Sequence, residues 1–212
     1  MSLDWARIAP ALLLLLPPVG LFHGRKVHLR ALSRDWEGYW RRTFALPLHY
    51  LDLVRGAAGA WLLAAALTPA ASAAAQVRHE ALALKIALLA LAALLQAAVC
   101  KERDSAHAPI AFLIGVVIGT APPLASAFGL VIAVALPLGA NSPAAFFPML
   151  AITVPAAGSL FTGRSHLYEL ITVAVVAIVP WIFTLLFSRD FVSSYRASPK
   201  RSISGHVPDQ LK

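Results

Sequence analysis

Three ionisable side chains stand at three-residue steps in an otherwise apolar run, HYLDLVRGAAGAWLLAAAL: His49, Asp52 and Arg55. On a helix, residues three apart share a face, so Asp52 and Arg55 can neutralise one another. A charge at membrane depth is costly unless it is paired, and it is a functional candidate by default. Two readings stand: a structural pair near the cytoplasmic end of a span, or a polar site facing a cavity.

A second constellation does its chemistry through backbone. GVVIGTAPPLASAFG carries Pro122 and Pro123 between Thr120 and Ser126, inside an apolar run from Ile110 to Leu138. Each proline lacks an N–H, and each frees a carbonyl in the preceding turn. In lipid such carbonyls must find partners, so broken backbone survives only inside protein or beside water. Interrupted helices near mid-membrane point to a transporter's binding site. A bend between packed helices is the plainer reading. Thr120, Pro122, Pro123, Ser126, Asn141, Pro148 and Pro155 are the candidates to line a path. Between Asp104 and Arg164 there is no Asp, Glu, Lys or Arg. A cargo passing there is therefore expected to be neutral, zwitterionic or lipid-like.

Other chemistry is weakly represented. His79, Glu80 and Lys85 open one apolar block, and His166 with Glu169 precedes another. Their spacing matches no metal-binding pattern, so no metal or other cofactor is expected. No nucleophile elbow, HExxH or phosphate loop occurs, which leaves a membrane enzyme the least supported class. Gly115 and Gly119 form a GxxxG, read as close helix packing. The lone cysteine, Cys100, excludes an internal disulfide and is read as a small buried hydrophobe.

The elements that must carry these residues are membrane helices. Of 212 residues, 59% are hydrophobic and 13% charged, against about 25% charged in soluble domains. Mean hydropathy is +0.73. The apolar residues fall in blocks: Ile8–Phe22, Leu46–Ala75, Ala81–Cys100, Ile110–Leu138, Ala144–Phe161 and Leu170–Phe187. A span needs about 20 apolar residues. The expected fold is an all-α polytopic bundle of about five spans plus one or two broken or re-entrant segments.

Residues 1–22 read as a retained anchor or a hairpin broken at Pro17-Pro18, 48–188 as the bundle, and 189–212 as a basic, disordered tail. In residues 23–47, VHLRALSRDWEGYWRRTF has the apolar period of an interfacial helix, with aromatics at headgroup depth. Arg34, Trp36, Trp40, Arg41 and Arg42 are its candidate contacts with anionic headgroups or with a membrane or cytoplasmic protein partner.

The formal charge of +8 follows the spans rather than a nucleic-acid face. Arg25, Lys26, Arg30, Arg34, Arg41 and Arg42 precede the second block, and Arg189, Arg196, Lys200, Arg201 and Lys212 follow the last. Nucleic acid is not an expected partner. The positive-inside rule puts both clusters in the cytoplasm, here of a bacterial inner membrane. The blocks then alternate, with TPAASAAAQVRHE and LGANSP outside and CKERD inside. To bring the tail back, Ala144–Phe161 is expected to re-enter rather than cross, which its Pro148 and Pro155 would suit.

Residues 107–161 resemble a small bacterial integral-membrane domain of unknown function that sometimes neighbours glycosyltransferases. Gly115, Gly119, Pro122, Asn141, Pro143 and Pro155 carry the likeness, with Val154-Pro155 where that family has Asn-Pro. The resemblance implies a membrane-embedded helical domain and brings no activity with it. Transport or lipid handling through the proline-broken helices is the expected function. A non-catalytic accessory or scaffold protein is the alternative.

Overall fold

The computed structural model describes residues 4–17, 25–28, 47–69, 74–99, 104–140 and 142–195, without the side chains of 25–28 and 194–195. Among these, seven α-helices form a bundle: α1 (Trp5–Leu15), α2 (Pro47–Leu67), α3 (Ala75–Ala98), α4 (Ile110–Thr120), α5 (Pro123–Gly139), α6 (Phe146–Thr162) and α7 (Leu167–Leu186). A 3-10 turn, Pro143–Ala145, leads into α6. Three strands, β1 (Arg25–His28), β2 (Ser105–His107) and β3 (Asp190–Tyr195), make one small sheet ordered β1-β3-β2.

Four helical segments are long and apolar enough to cross a bilayer: Pro47–Leu67, Ala75–Ala98, Pro143–Thr162 and Leu167–Leu186. Large apolar side chains also point outward, with Leu160 82%, Leu186 74%, Leu13 72% and Val131 68% exposed. In water such a surface would aggregate; in lipid it is the natural exterior. The chain is a multi-pass helical membrane protein.

The sheet defines one end of the bundle. β1 pairs antiparallel with β3, Arg25 opposite Tyr195, and β2 pairs parallel with it, Ser105 opposite Asp190. The Asp190 amide donates to the Asp104 carbonyl and the Ala108 amide to Val192. Three points far apart in sequence therefore lie together: the chain after α1, the chain between α3 and α4, and the chain after α7.

Helix directions follow from side-by-side contacts. α4 runs parallel to α2, away from the sheet: Gly115 lies against Leu53 and Ala57, and Gly119 against the Ala57 carbonyl. α6 also starts at the sheet end, where Phe147 stacks on Phe191 with centroids 4.4 Å apart. α5 runs antiparallel to α6, with Gly129 against Val154 and Phe128 against Phe161 at 4.9 Å. α7 returns to the sheet. So α4 and α5 leave the sheet end and come back to it: together they are a helical hairpin, bent at Pro122.

This corrects the expected topology in two places. Ala144–Phe161 does not re-enter; Phe146–Thr162 is one helix. Pro148 is its third residue, within the first turn, where no intrahelical N–H is required, and the helix continues through Pro155. The chain turns back one block earlier, at Pro122, so Ser142 and Pro143 of LGANSP lie at the sheet end rather than the opposite one. Residues 190–195, expected to be part of a disordered tail, are strand. DFVSSY is rich in strand-favouring residues, and Phe191, Val192 and Ser193 are buried.

Candidate functional site

Sterics set the break between α4 and α5. The residue before a proline is pushed out of the α region. Ala121 precedes Pro122, and Pro122 precedes Pro123, so two successive residues are driven extended: φ −87, ψ 156 at Ala121 and φ −56, ψ 145 at Pro122. One proline bends a helix; this pair ends it. Pro123 then opens α5 as its first residue, where its fixed φ suits a helix start.

The ends exposed by the break are partly closed by protein. The Ala121 amide donates to the Val117 carbonyl at 2.8 Å. The Ser126 hydroxyl lies 3.2 Å from the Ala121 carbonyl and 3.3 Å from that of Val117, and donates to this pair. Ser126 is thus a clasp from α5 back to the end of α4. Thr120 is different. It is buried, yet its Oγ1 has no hydrogen-bond partner among the described residues. A buried hydroxyl without a partner is costly and calls for an explanation.

The charged residues of α2 stitch three helices. Arg55 Nη2 donates to Asp52 Oδ1 at 2.9 Å, with both side chains buried. Arg55 Nη1 donates to the Leu16 carbonyl at the end of α1. The guanidinium also lies over the Phe112 ring of α4, 5.8 Å from its centroid. His49 lies one turn earlier on α2 and is half-buried. Asp52 and Arg55 face neighbouring helices and line neither of the two clefts described below.

Other expected candidates scatter. Pro148 and Pro155 lie in α6, Pro155 beside Val154, which packs on Gly129 of α5. Thr153 Oγ1 donates to the Gly129 carbonyl at 2.8 Å, binding α6 to the returning arm of the hairpin. Asn141, Arg34, Trp36, Trp40, Arg41 and Arg42 lie outside the described residues, as do Pro18, Cys100 and the tail from 196 on. The chain enters 29–46 from β1 and leaves it into α2, both at the sheet end.

Two features escaped the sequence. Gln96 of α3 is 1% exposed with neither amide atom hydrogen-bonded among the described residues; one glutamine in an apolar helix gives no warning of its partners. The other is a pair of clefts at opposite ends. At the sheet end, about 450 Å³ opens among Ala144, Trp181, Thr184, Arg189 and Asp190, with Arg189 over Phe183 and Phe187 at 5.5 and 5.9 Å. At the far end, about 240 Å³ opens where α2 finishes and α3 and α7 begin, beside Arg78, Lys85, Tyr168 and Glu169. His166 Nδ1 is 3.9 Å from Glu169 Oε2, and the His79 and Tyr168 rings meet edge-on at 6.0 Å. No three of the described His, Cys, Asp and Glu residues converge to hold a metal. No family model, curated protein or solved structure matches the chain.

Proposed function

We propose that this membrane protein moves or handles a neutral, zwitterionic or lipid-like molecule, with the α4–α5 hairpin as the moving or lining element. The observation that carries the reading is the turn at Pro122: a helix that enters the bundle, breaks and returns, with the unpartnered Thr120 hydroxyl beside the break. Broken helices inside a bundle are where transporters place binding groups. The absence of Asp, Glu, Lys and Arg from Ser105 to Gly163 restricts the cargo to one without net charge. The sheet end is assigned to the cytoplasm, because the chain of both basic clusters meets the bundle there.

Thiol accessibility in native membrane vesicles tests the reading, in a Cys100→Ala background. Thr120→Cys is expected to react with a small polar methanethiosulfonate, while Val117→Cys, one turn away on the same helix, stays protected. A Thr120→Cys protein that reacts only after unfolding removes the wet path and leaves the break as architecture.

The sheet favours a second reading, an accessory protein that docks a cytoplasmic partner. It gathers three chain segments at one end, including those that lead into residues 29–46 and the tail. Deleting residues 196–212 would then abolish partner capture without lowering the melting temperature of the bundle.

A further inference from the structure

The far-end cleft is lined by a largely buried cation that has no ion-pair partner among the described residues. Lys85 is 8% exposed, lies ten residues into α3, and lines the cleft. Its ammonium makes no hydrogen bond and no ion pair among the described residues. Glu169, on the facing α7, acts on it electrostatically but lies beyond ion-pair reach. The Lys85 stem is buried, but Nζ is not sealed like the Gln96 amide or the Thr120 hydroxyl, so the charge is open to an anion in the cleft. The first turns of α3 and α7 add their positive ends to the same opening, and Arg78 stands exposed on its rim. Glu169, half-exposed, supplies a carboxylate on the opposite wall. Leu67 and Leu82 add apolar wall, and Thr68 and Tyr168 add hydroxyl groups.

We propose that this cleft binds a zwitterionic phosphate ester of the phosphoethanolamine type. The phosphate sits between Lys85 and Arg78, and the ammonium meets Glu169. Three features select that chemistry. Two cations face one anion, which suits a phosphate and excludes a bare amine. The single carboxylate, Glu169, faces them across a cleft of about 240 Å³, room for a headgroup but not for a large solute. The opening lies where α2 ends and α3 and α7 begin, at the end of the bundle where a membrane surface is expected. A lipid headgroup and a soluble ester share this chemistry. The site is separate from the α4–α5 hairpin, so failure here leaves the thiol result at Thr120 standing, and the reverse.

The test is binding to the purified full chain in detergent, read by thermal shift and native mass spectrometry. Dioleoyl phosphatidylethanolamine, dioleoyl phosphatidylglycerol and free phosphoethanolamine are compared. The zwitterionic lipid, the free ester or both are expected to raise the melting temperature, and phosphatidylglycerol less so. Response to the lipid alone identifies the membrane as the source; response to the free ester identifies the headgroup as sufficient. Lys85→Met should weaken binding about thirtyfold or more, because it removes a buried charge partner. Exposed Arg78→Ala, which spares the core, should weaken it about threefold. Glu169→Gln should erase the preference for phosphatidylethanolamine over phosphatidylglycerol. The proposal is overturned if none of the three shifts the wild type. It is equally overturned if Arg78→Ala and Lys85→Met bind as the wild type does. Equal binding of both lipids, indifferent to Glu169→Gln, overturns the zwitterionic assignment.

Discussion

Ser126 and Arg55 do similar work with different chemistry: each reaches from one helix to the backbone of another's end. Ser126→Ala would leave the Ala121 carbonyl without its donor at a buried turn. A loss of about 1 kcal/mol in detergent unfolding is expected, and Ser126→Thr should recover part of it. Arg55 answers both a carboxylate and a carbonyl. Removing it alone strands Asp52, whereas removing both removes the stranded charge. Arg55→Ala should therefore lower the melting temperature more than Asp52→Ala/Arg55→Ala does; strictly additive losses would show that the two do not couple. Ser188 takes φ 50, the left-handed region, where α7 closes with the Arg189 amide on the Thr184 carbonyl and the Ser188 amide on Leu185. This is a Schellman closure without its usual glycine. Ser188→Gly should stabilise by about 0.5–1 kcal/mol, measured by the same unfolding assay.

Among the helices, glycine sets how closely the hairpin can lie on its neighbours. A Cβ on Gly115 would meet the Leu53 carbonyl oxygen at 2.1 Å, and one on Gly119 the Ala57 oxygen at 2.3 Å. Gly56 answers from the α2 side, where an added Cβ would lie 2.5 Å from the Phe112 oxygen. Backbone is the obstacle in all three cases, so no side-chain rotation relieves it. Packing without spacers is the general device of helices in lipid, where water provides no hydrophobic drive between them. Gly115→Ala and Gly119→Ala are each expected to cost about 1–3 kcal/mol, or to reduce folded yield sharply. Gly139→Ala at the end of α5 meets nothing within 4 Å and should be tolerated. α4, about 16 Å long at about 1.5 Å per residue, is too short to cross a core of about 30 Å. Its position depends on this contact with α2 rather than on the thickness of the bilayer.

For the molecule as a whole, the sheet and the hairpin together fix which loops share a side. Ser142 lies at the sheet end with β1, β2 and β3, while Ser165, in the turn between α6 and α7, lies at the other. Residues 196–212 contain no apolar block, so Ser202 is expected on the side of β3. In a Cys100→Ala background, an impermeant thiol reagent applied to intact cells should distinguish Ser165→Cys from both Ser142→Cys and Ser202→Cys. The last two should label alike. Opposite labelling of 142 and 202 would restore a crossing α4–α5 segment and a re-entrant Ala144–Phe161. If the sheet end is cytoplasmic, as proposed, Ser165→Cys is the one that labels.

The sequence alone determined whatever depends on near neighbours. The apolar blocks gave the membrane and most of the helices, since a span is a matter of length and composition. Two adjacent prolines ended α4 at Thr120 by local sterics, and the three-residue step of Asp52 and Arg55 allowed their pairing on one turn. Tertiary structure decided what depends on distant partners. Which segment turns back follows from α4 lying parallel to α2, and that rests on Gly115 and Gly119 meeting the backbone of Leu53 and Ala57, some sixty residues away. Asp190–Tyr195 becomes a strand only because Arg25–His28 and Ser105–His107 are there to satisfy its backbone. Lys85 looks like one basic residue in an apolar block until α2, α3 and α7 converge around it. Proline and charge act within a turn or two; hydrogen-bonded strands and closely packed helices need surfaces that only the folded chain brings together.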